Sequence, residues 1–121
     1  MVGAGAVAVA AEVTGVWRTE PRNSGAYITV EIHPCPVASM ERCGRVVGAH
    51  GGARPELIGE DMLRGLKLQD DGSWSGGEIV SPKSGDAYRS NLHLLGPDRL
   101  KVEGCVAAGL ICSGQVWTRV Q

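Results

Sequence analysis

The sequence predicts an all-β domain, an eight-stranded antiparallel meander that closes into a small barrel. Apolar and polar residues alternate along several short runs, with Ile28, Val30 and Ile32 on one face of the clearest run. The 18 glycines stand singly or in pairs between these runs, as turn and bulge residues do. No segment has the periodicity of a crossover helix, which a parallel sheet would need. The strands are therefore expected to pair with their neighbours in chain order.

Turn signals divide the chain into eight runs. Asp70-Asp71-Gly72 is an Asp-Gly step between β-rich segments and predicts a hairpin, and Gly96-Pro97-Asp98 predicts another. Residues 50–60 are interpreted as a loop with one helical turn near Pro55-Glu56-Leu57. The expected strands are Thr14–Glu20, Ala26–Pro34, Cys43–Ala49, Met62–Gln69, Ser73–Val80, Ala87–Leu95, Arg99–Val106 and Ile111–Val120. Each has one apolar face, and closing such a sheet removes its edges.

Strand parity predicts which side chains face the interior. Trp74 and Ile79 have opposite parity on one strand, so a β-bulge is expected at Gly76 and Gly77 between them. A barrel of this size is either filled by its own side chains or holds one small ligand, and both alternatives stay open. The expected interior residues are Trp17, Ile28, Val30, Ile32, Val46, Leu66, Leu68, Trp74, Tyr88, Leu92, Leu94, Leu100 and Val102.

The first eleven residues differ in composition from the rest. They carry no charge, and Ala8-Val9-Ala10 matches the Ala-x-Ala pattern of a signal-peptidase site. We interpret residues 1–11 as the remnant of a signal peptide that contributes nothing to the fold. The alternative is a disordered or strand-leading N-terminus. Glu12 ends the apolar run well short of the roughly 20 residues that a transmembrane helix needs. The expected organisation is a leader, 1–11, and one barrel domain, 12–121, in the periplasm or outside the cell.

The four cysteines form two closely spaced pairs. Each pair brackets a short segment between strand-like runs, which places it at the neck of a hairpin, where antiparallel partners bring Cβ atoms within disulfide distance. The chain has no Cys-x-x-Cys spacing, which weakens the zinc and redox-motif interpretations. The favoured pairing is Cys35–Cys43 and Cys105–Cys112 in an oxidising compartment. Four buried thiols are the alternative, and three pairings are formally possible.

Charge and motif content argue against several functions. Twelve basic and thirteen acidic residues are interspersed, and no basic run is able to neutralise several phosphates, so no nucleic-acid partner is predicted. His33, His50 and His93 share no face, so no metal site is predicted. There is no nucleophile elbow, and acidic pairs such as Glu60-Asp61 fall in turns. We therefore expect no catalytic residues, no cofactor and no enzymatic activity.

Two sets of residues resemble known families. Gly15-Val16-Trp17 on the first strand and Arg119 on the last resemble the signature of the calycin superfamily, which comprises lipocalins, fatty-acid-binding proteins and avidins. In that superfamily the tryptophan closes one barrel end and the arginine packs across it, a cation–π contact. A longer ordered set resembles the bacterial domain-of-unknown-function 2147 family over Val13–Val120. This set is Gly15-x-Trp17-Arg18, Cys35, Cys43-Gly44, Gly59 to Lys67, Trp74-x-Gly76-Gly77-x-Ile79-x-x-Pro82-x-x-Gly85-x-x-Tyr88, Leu100-x-Val102-x-Gly104-Cys105 and Trp117-Thr118-Arg119-Val120.

The resemblance implies an exported, lipocalin-like barrel and brings no established activity. The family usually has glycine after its first cysteine, where this chain has Pro36. Two functions remain open from the sequence. One is binding of a small apolar or amphipathic ligand in the barrel mouth opposite Trp17, with Trp74, Tyr88, Leu66 and Leu92 as the expected ligand-binding residues. The other is an envelope structural or protein-interaction factor with a packed, ligand-free barrel, whose protein partner the sequence does not identify.

Overall fold

The computed structural model describes residues 12–109 and 111–121. It contains the strands β1 (Gly15–Arg18), β2 (Tyr27–Cys35), β3 (Ala38–His50), β4 (Asp61–Leu68), β5 (Trp74–Val80), β6 (Ala87–Gly96), β7 (Arg99–Val106) and β8 (Ile111–Arg119), with 3-10 helices at Pro55–Leu57 and Ala107–Gly109. Each strand pairs antiparallel with the next, and β1 also pairs with β8, which closes the barrel. The predicted eight-stranded meander is confirmed. The leader expected at residues 1–11 lies outside the described residues.

The β2–β3 hairpin is longer than the alternation in the sequence predicted. β3 begins at Ala38 instead of Cys43, because Pro36 and Val37 alone form the turn and Cys35 pairs directly with Ala38. This two-residue turn accommodates proline at the position where the family usually has glycine. The tip of the hairpin projects into solvent, with Val37 98% and Met40 85% exposed. Of the residues bracketed by the first cysteine pair, Pro36 and Val37 form the turn and the others belong to β3.

Two bulges set which side chains of β4 and β5 face inward. The predicted bulge on β5 is confirmed by a register shift between Trp74 and Gly77. Gly77 packs so closely on β4 that a Cβ there would overlap the carbonyl oxygen of Arg64. On β4, Gly65 has a φ of +63°, and the β3–β4 register shifts twice. Leu68 is the last residue of β4, at one end of the barrel, and its side chain is 56% exposed, so the expectation that Leu68 lines the interior is wrong.

The two ends of the barrel differ. One end, here the closed end, carries the turns at 36–37, 69–73 and 97–98 and both described chain termini. The other end, here the open end, carries the connections at 19–26, 51–60 and 81–86 and the 3-10 helix at Ala107–Gly109. The largest buried side chains form one core cluster: Val13, Trp17, Val30, Ile32, Val46, Leu63, Leu66, Leu92, Leu100 and Trp117, each 0–2% exposed.

Trp17 and Arg119 close the barrel as the calycin resemblance implied. The indole ring of Trp17 is fully buried, and its Nε1 donates a hydrogen bond to the carbonyl oxygen of Val13 at 2.9 Å. The guanidinium of Arg119 lies 4.3 Å from the ring centroid, in cation–π contact. Trp17 and Arg119 are also register partners between β1 and β8. The first and last strands are thus joined both by their backbones and by these two side chains.

Both predicted disulfides are present, one at each end of the barrel. Cys35–Cys43 joins β2 to β3 near the closed end, with a Cα–Cα distance of 5.0 Å. Cys105–Cys112 joins β7 to β8 at the open end, with a Cα–Cα distance of 4.1 Å. No cysteine is left free in the described chain, so the alternative of four buried thiols is excluded.

Candidate ligand-binding cavity

A cavity of about 870 Å³ occupies the open half of the barrel. It begins above the packed cluster at the closed end and reaches the connections between strands at the open end. Its wall is mostly apolar, and its charged side chains belong to the loops and strand ends at the mouth. The lining residues are Thr19, Glu20, Arg22, Ser24, Ala26, Tyr27, Ile28, Gly52, Ala53, Arg54, Leu57, Met62, Ile79, Val80, Ser81, Pro82, Lys83, Tyr88, Val102, Gly104, Val106, Ile111, Ser113, Gly114, Gln115 and Trp117.

The cavity exists because the inward side chains of β7 and β8 become smaller toward the open end. Near the closed end Leu100 pairs with Trp117, and both are buried. Four residues further toward the open end on each strand, Gly104 pairs with Ser113, and both line the cavity. Leucine and tryptophan fill the barrel at the first level, whereas glycine and serine leave it empty at the second.

Small residues also occupy the same level of the two neighbouring strands, β6 and β5. Ser90 on β6 pairs with Gly104 on one side and with Gly77 of β5 on the other. Gly77, Ser90, Gly104 and Ser113 therefore form one row of small residues across four adjacent strands. The hydroxyl of Ser90 is satisfied by donating to the carbonyl oxygen of Glu103 at 2.9 Å. On β7 and β8 this row belongs to the cavity wall, which continues toward the closed end as far as Val102 and Trp117.

The structure places the four expected ligand-binding residues in two different regions. Tyr88 lines the cavity beside its register partner Ile79. Leu66 and Leu92 are fully buried and Trp74 is 4% exposed, and these three side chains are not part of the lining. Parity indicates that a side chain points inward, but it does not give its height along the barrel axis. Trp74 is the first residue of a strand that starts at the closed end, so its ring lies in the packed half.

Trp74 is covered by an arginine that sequence reasoning did not single out. The guanidinium of Arg42 lies 4.8 Å from the centroid of the Trp74 ring. The same guanidinium donates two hydrogen bonds to the carboxylate of Glu12, at 3.1 Å from Nε and 2.9 Å from Nη2. These bonds lower the pKa of Glu12 from 4.5 to about 2, against the opposing effect of partial burial. Arg42 with Trp74 and Arg119 with Trp17 thus form two arginine–tryptophan pairs at the closed end.

Sequence reasoning also missed the floor of the cavity. Trp117 contributes to the lining, together with Gln115 and Ser113 on the same strand. The signal was present in the alternation of Ile111, Ser113, Gln115 and Trp117 on one face of β8. Ser113 and Gln115 are polar, so the inward face of β8 does not show the apolar alternation that is typical of an interior face. The expected loop at 50–60 does contribute, through residues 52–54 and Leu57.

Comparison with known proteins identifies the family. Residues 15–119 match the family described as "Uncharacterized protein conserved in bacteria (DUF2147)". The chain belongs to this family. In this DUF2147 member the match begins at Gly15 and ends at Arg119, on the two strands that close the barrel. A search of curated proteins gives no match.

A solved structure with the same fold supports the lipocalin-like architecture. The DUF2147 chain is similar to protein HP1028 from the human pathogen Helicobacter pylori, which its description assigns to the lipocalin family. The TM-score is 0.69 at 16% sequence identity, and the match covers 91% of this chain and 84% of that one. At this identity the likeness shows the fold alone. In the described part of the chain, no helix is long and apolar enough to span a bilayer.

Proposed function

We propose that this protein is exported and binds a small apolar or amphipathic molecule in the cavity at the open end of the barrel. The cavity itself carries this proposal. Its volume of about 870 Å³ is within the range of roughly 300–1,000 Å³ that is common for small-molecule sites. Mouths of β-barrels are among the places where such sites recur. The row of small residues at the level of Ser90 indicates that the space is built into the strands.

The energetics of the wall favour an apolar ligand. Trp117, Val102 and Ile79 present apolar surface at the floor and side of the cavity. A hydrocarbon chain gains about 0.8 kcal/mol for each methylene removed from water. Ten such groups would contribute about 8 kcal/mol, from which association subtracts at least about 4 kcal/mol. We therefore expect about millimolar or weaker affinity for a simple alkyl chain of this length, with polar contacts at the mouth adding to it.

We assign no reaction to this cavity. None of the residues that line it is histidine or cysteine, so its serines have no imidazole general base within the lining. Its one carboxylate, that of Glu20, accepts a hydrogen bond from the backbone N–H of Val116 at 2.6 Å. Among the described residues there is no cluster of three or more histidine, cysteine or acidic side chains suited to a metal.

Ligand binding is tested by filling the cavity. N-phenyl-1-naphthylamine, an uncharged probe whose fluorescence rises in apolar surroundings, should bind the wild-type protein with saturation. Ser113→Trp adds a large ring to the inward face of β8 and should abolish this signal. Thr118→Trp adds the same ring to an exposed position on the same strand and is the matched control. Equal signals from both variants, or no saturable signal from the wild type, would contradict the proposal.

Export is supported by the two disulfides, because such bonds persist in oxidising compartments. The test is mass spectrometry of the protein recovered from its own host, digested without reduction. We expect both disulfides to be formed and the most N-terminal peptide to begin after Ala8-Val9-Ala10. A peptide that retains residues 1–10, together with reduced thiols, would show that the protein is not exported.

The β2–β3 hairpin tip favours a second candidate function, a protein-interaction factor. Val37 and Met40 are apolar side chains that are 98% and 85% exposed, next to the rigid Cys35–Cys43 bridge. Photocrosslinking from position 37 in whole cells would test this function, with position 83 at the open end as the control. Crosslinks to one protein from position 37 alone would support an interaction role, and crosslinks from neither position would remove it.

A further inference from the structure

We propose that the ligand is a single-chain anionic amphiphile, such as an alkyl carboxylate, with its head group held at the rim by Arg22, Arg54 and Lys83. The inference rests on the proposed function of the cavity and adds the chemical class of the ligand. All three basic side chains belong to the lining, and all three are exposed at the mouth. The apolar floor is formed by Trp117 and Val102, so the two parts of the ligand would meet chemically different surroundings.

The three basic residues lie on one continuous arc of the rim. The turn that carries Arg22 touches the next connection, because a Cβ at Gly51 would overlap the carbonyl oxygen of Gly25. Arg54, three residues after Gly51, donates a hydrogen bond from Nη2 to the carbonyl oxygen of Pro82 at 2.9 Å. Lys83 follows Pro82 directly. Three loops are thus connected side by side, and each one contributes one basic side chain to the cavity lining.

These charges are available to a ligand. In the part of the chain that the structure describes, none of the three residues forms an ion pair with a carboxylate, although five other arginine or lysine residues do. Glu20 is the one acidic residue of the lining, and a backbone N–H already occupies one of its carboxylate oxygens. The opposite side of the mouth is uncharged, with Val106 and Ile111 as its partly exposed residues.

The arrangement favours an anion over a neutral head group. Guanidinium groups bind carboxylates through paired N–H donors, and an ammonium group adds a mobile point charge. Because the side chains are exposed, each contact is weak alone, and we expect the three together to strengthen binding by about tenfold. The effect should fall as salt is added, since exposed charges are screened within a Debye length.

The test is competition of three amphiphiles of equal chain length against N-phenyl-1-naphthylamine at low salt and neutral pH. Dodecanoate should bind about tenfold more tightly than dodecanol, and dodecyltrimethylammonium should bind more weakly than either. The variant Arg22→Gln/Arg54→Gln/Lys83→Gln should bind dodecanoate and dodecanol equally. The variant Arg89→Gln/Arg99→Gln/Lys101→Gln removes the same charge from exposed positions outside the lining and should keep the wild-type preference.

The outcomes separate this inference from the proposal on which it rests. If dodecanol and dodecanoate bind equally well to the wild type, the head-group site is wrong and the apolar cavity function stands. A preference for the cationic amphiphile would also overturn the head-group site. If none of the amphiphiles and no apolar probe binds, the cavity function fails and this inference fails with it. Should the rim variant not fold, the wild-type preference and its salt dependence decide the question.

Discussion

At the scale of single residues, Arg119 joins parts of the chain that are far apart in sequence. Besides its contact with Trp17, its guanidinium donates hydrogen bonds to the carbonyl oxygens of Pro97, Thr14 and Glu12, at 2.8, 2.8 and 3.2 Å. All three acceptors belong to the closed end. Charge-assisted hydrogen bonds of this kind contribute more than neutral ones, because the ionised guanidinium attracts the carbonyl oxygen more strongly than a neutral donor does.

We expect Trp17→Ala to lower the free energy of unfolding by about 3–5 kcal/mol, as a large-to-small core change. Arg119→Ala should cost about 2–4 kcal/mol, because it removes the cation–π contact and three hydrogen bonds. Chemical denaturation of both single variants and of the double variant gives their coupling, which should be about 0.5–1.5 kcal/mol. Arg89→Ala, on an exposed position of β6, is the control and should change stability little. Strict additivity would mean that the two residues do not interact.

The ion pair between Glu12 and Arg42 gives stability a dependence on acidity. The folded pKa of Glu12, about 2, is below its ordinary value of 4.5, so its contribution is complete above pH 4.5 and is lost as the pH falls toward 2. We expect Glu12→Gln to have a lower free energy of unfolding than the wild type at neutral pH. This difference, measured by denaturant titration at several pH values, should disappear between pH 4.5 and 2. Glu78→Gln removes a longer, exposed ion pair with Arg64 at 3.8 Å, and its free energy of unfolding should differ little from that of the wild type at any pH. If the difference in the free energy of unfolding between Glu12→Gln and the wild type were unchanged at pH 2, this explanation would be wrong.

At the scale of elements, the two disulfide-linked hairpins differ in their position relative to the cavity. The β2–β3 hairpin ends in an exposed arm away from the cavity, whereas the β7–β8 hairpin supplies much of the cavity wall. Gly104 and Ser113, both in the lining, are directly adjacent in sequence to Cys105 and Cys112. The second disulfide therefore holds the strands together at the level where side chains no longer fill the interior.

We expect each disulfide to stabilise the fold by about 2–3 kcal/mol, since the two close loops of similar length, with sequence separations of 8 and 7. Cys35→Ala/Cys43→Ala and Cys105→Ala/Cys112→Ala should therefore lose similar stability in denaturant titrations. Only the second pair of substitutions should also weaken binding of N-phenyl-1-naphthylamine, because it loosens the wall. Equal binding by both variants would show that the wall does not need the bridge.

At the scale of the whole molecule, the closed end of the barrel holds the packed core and the open end holds the proposed binding cavity. A ligand that binds only the folded state raises the free energy of unfolding by about 2.7 kcal/mol at roughly 100 times its dissociation constant. We expect N-phenyl-1-naphthylamine to give the same increment in the wild type and in Arg119→Ala, because distant, independent changes add. The comparison is made by denaturant titration with and without the probe. A smaller increment in the variant, at equal saturation, would show that the two ends are coupled.

The sequence predicted the barrel well and the cavity only in part. Alternation and turn residues indicated all eight strands, and hairpin-neck spacing identified both disulfides. The wrong expectations concern the position of side chains along the barrel axis and the alignment of neighbouring strands, which a single strand's alternation does not give. Leu68 ends β4 and Trp74 begins β5, and the position of each along the barrel axis depends on the end at which its strand starts or stops. The row from Gly77 to Ser113 is invisible in one dimension, because its members are neighbours only after four strands are aligned in register.

Both described termini lie at the closed end, and this has a practical consequence. The backbone N–H of Val16 donates to the carbonyl oxygen of Gln121 at 2.6 Å, and Arg119 reaches Glu12. A tether on Gln121 would hold the molecule on a sensor surface with its mouth turned toward the solution. A short peptide joining Gln121 to Glu12 would also permit circular permutation, with new ends opened in the loop at 51–60. All eight strand pairings would survive this rearrangement, while the chain would enter and leave the barrel beside the cavity.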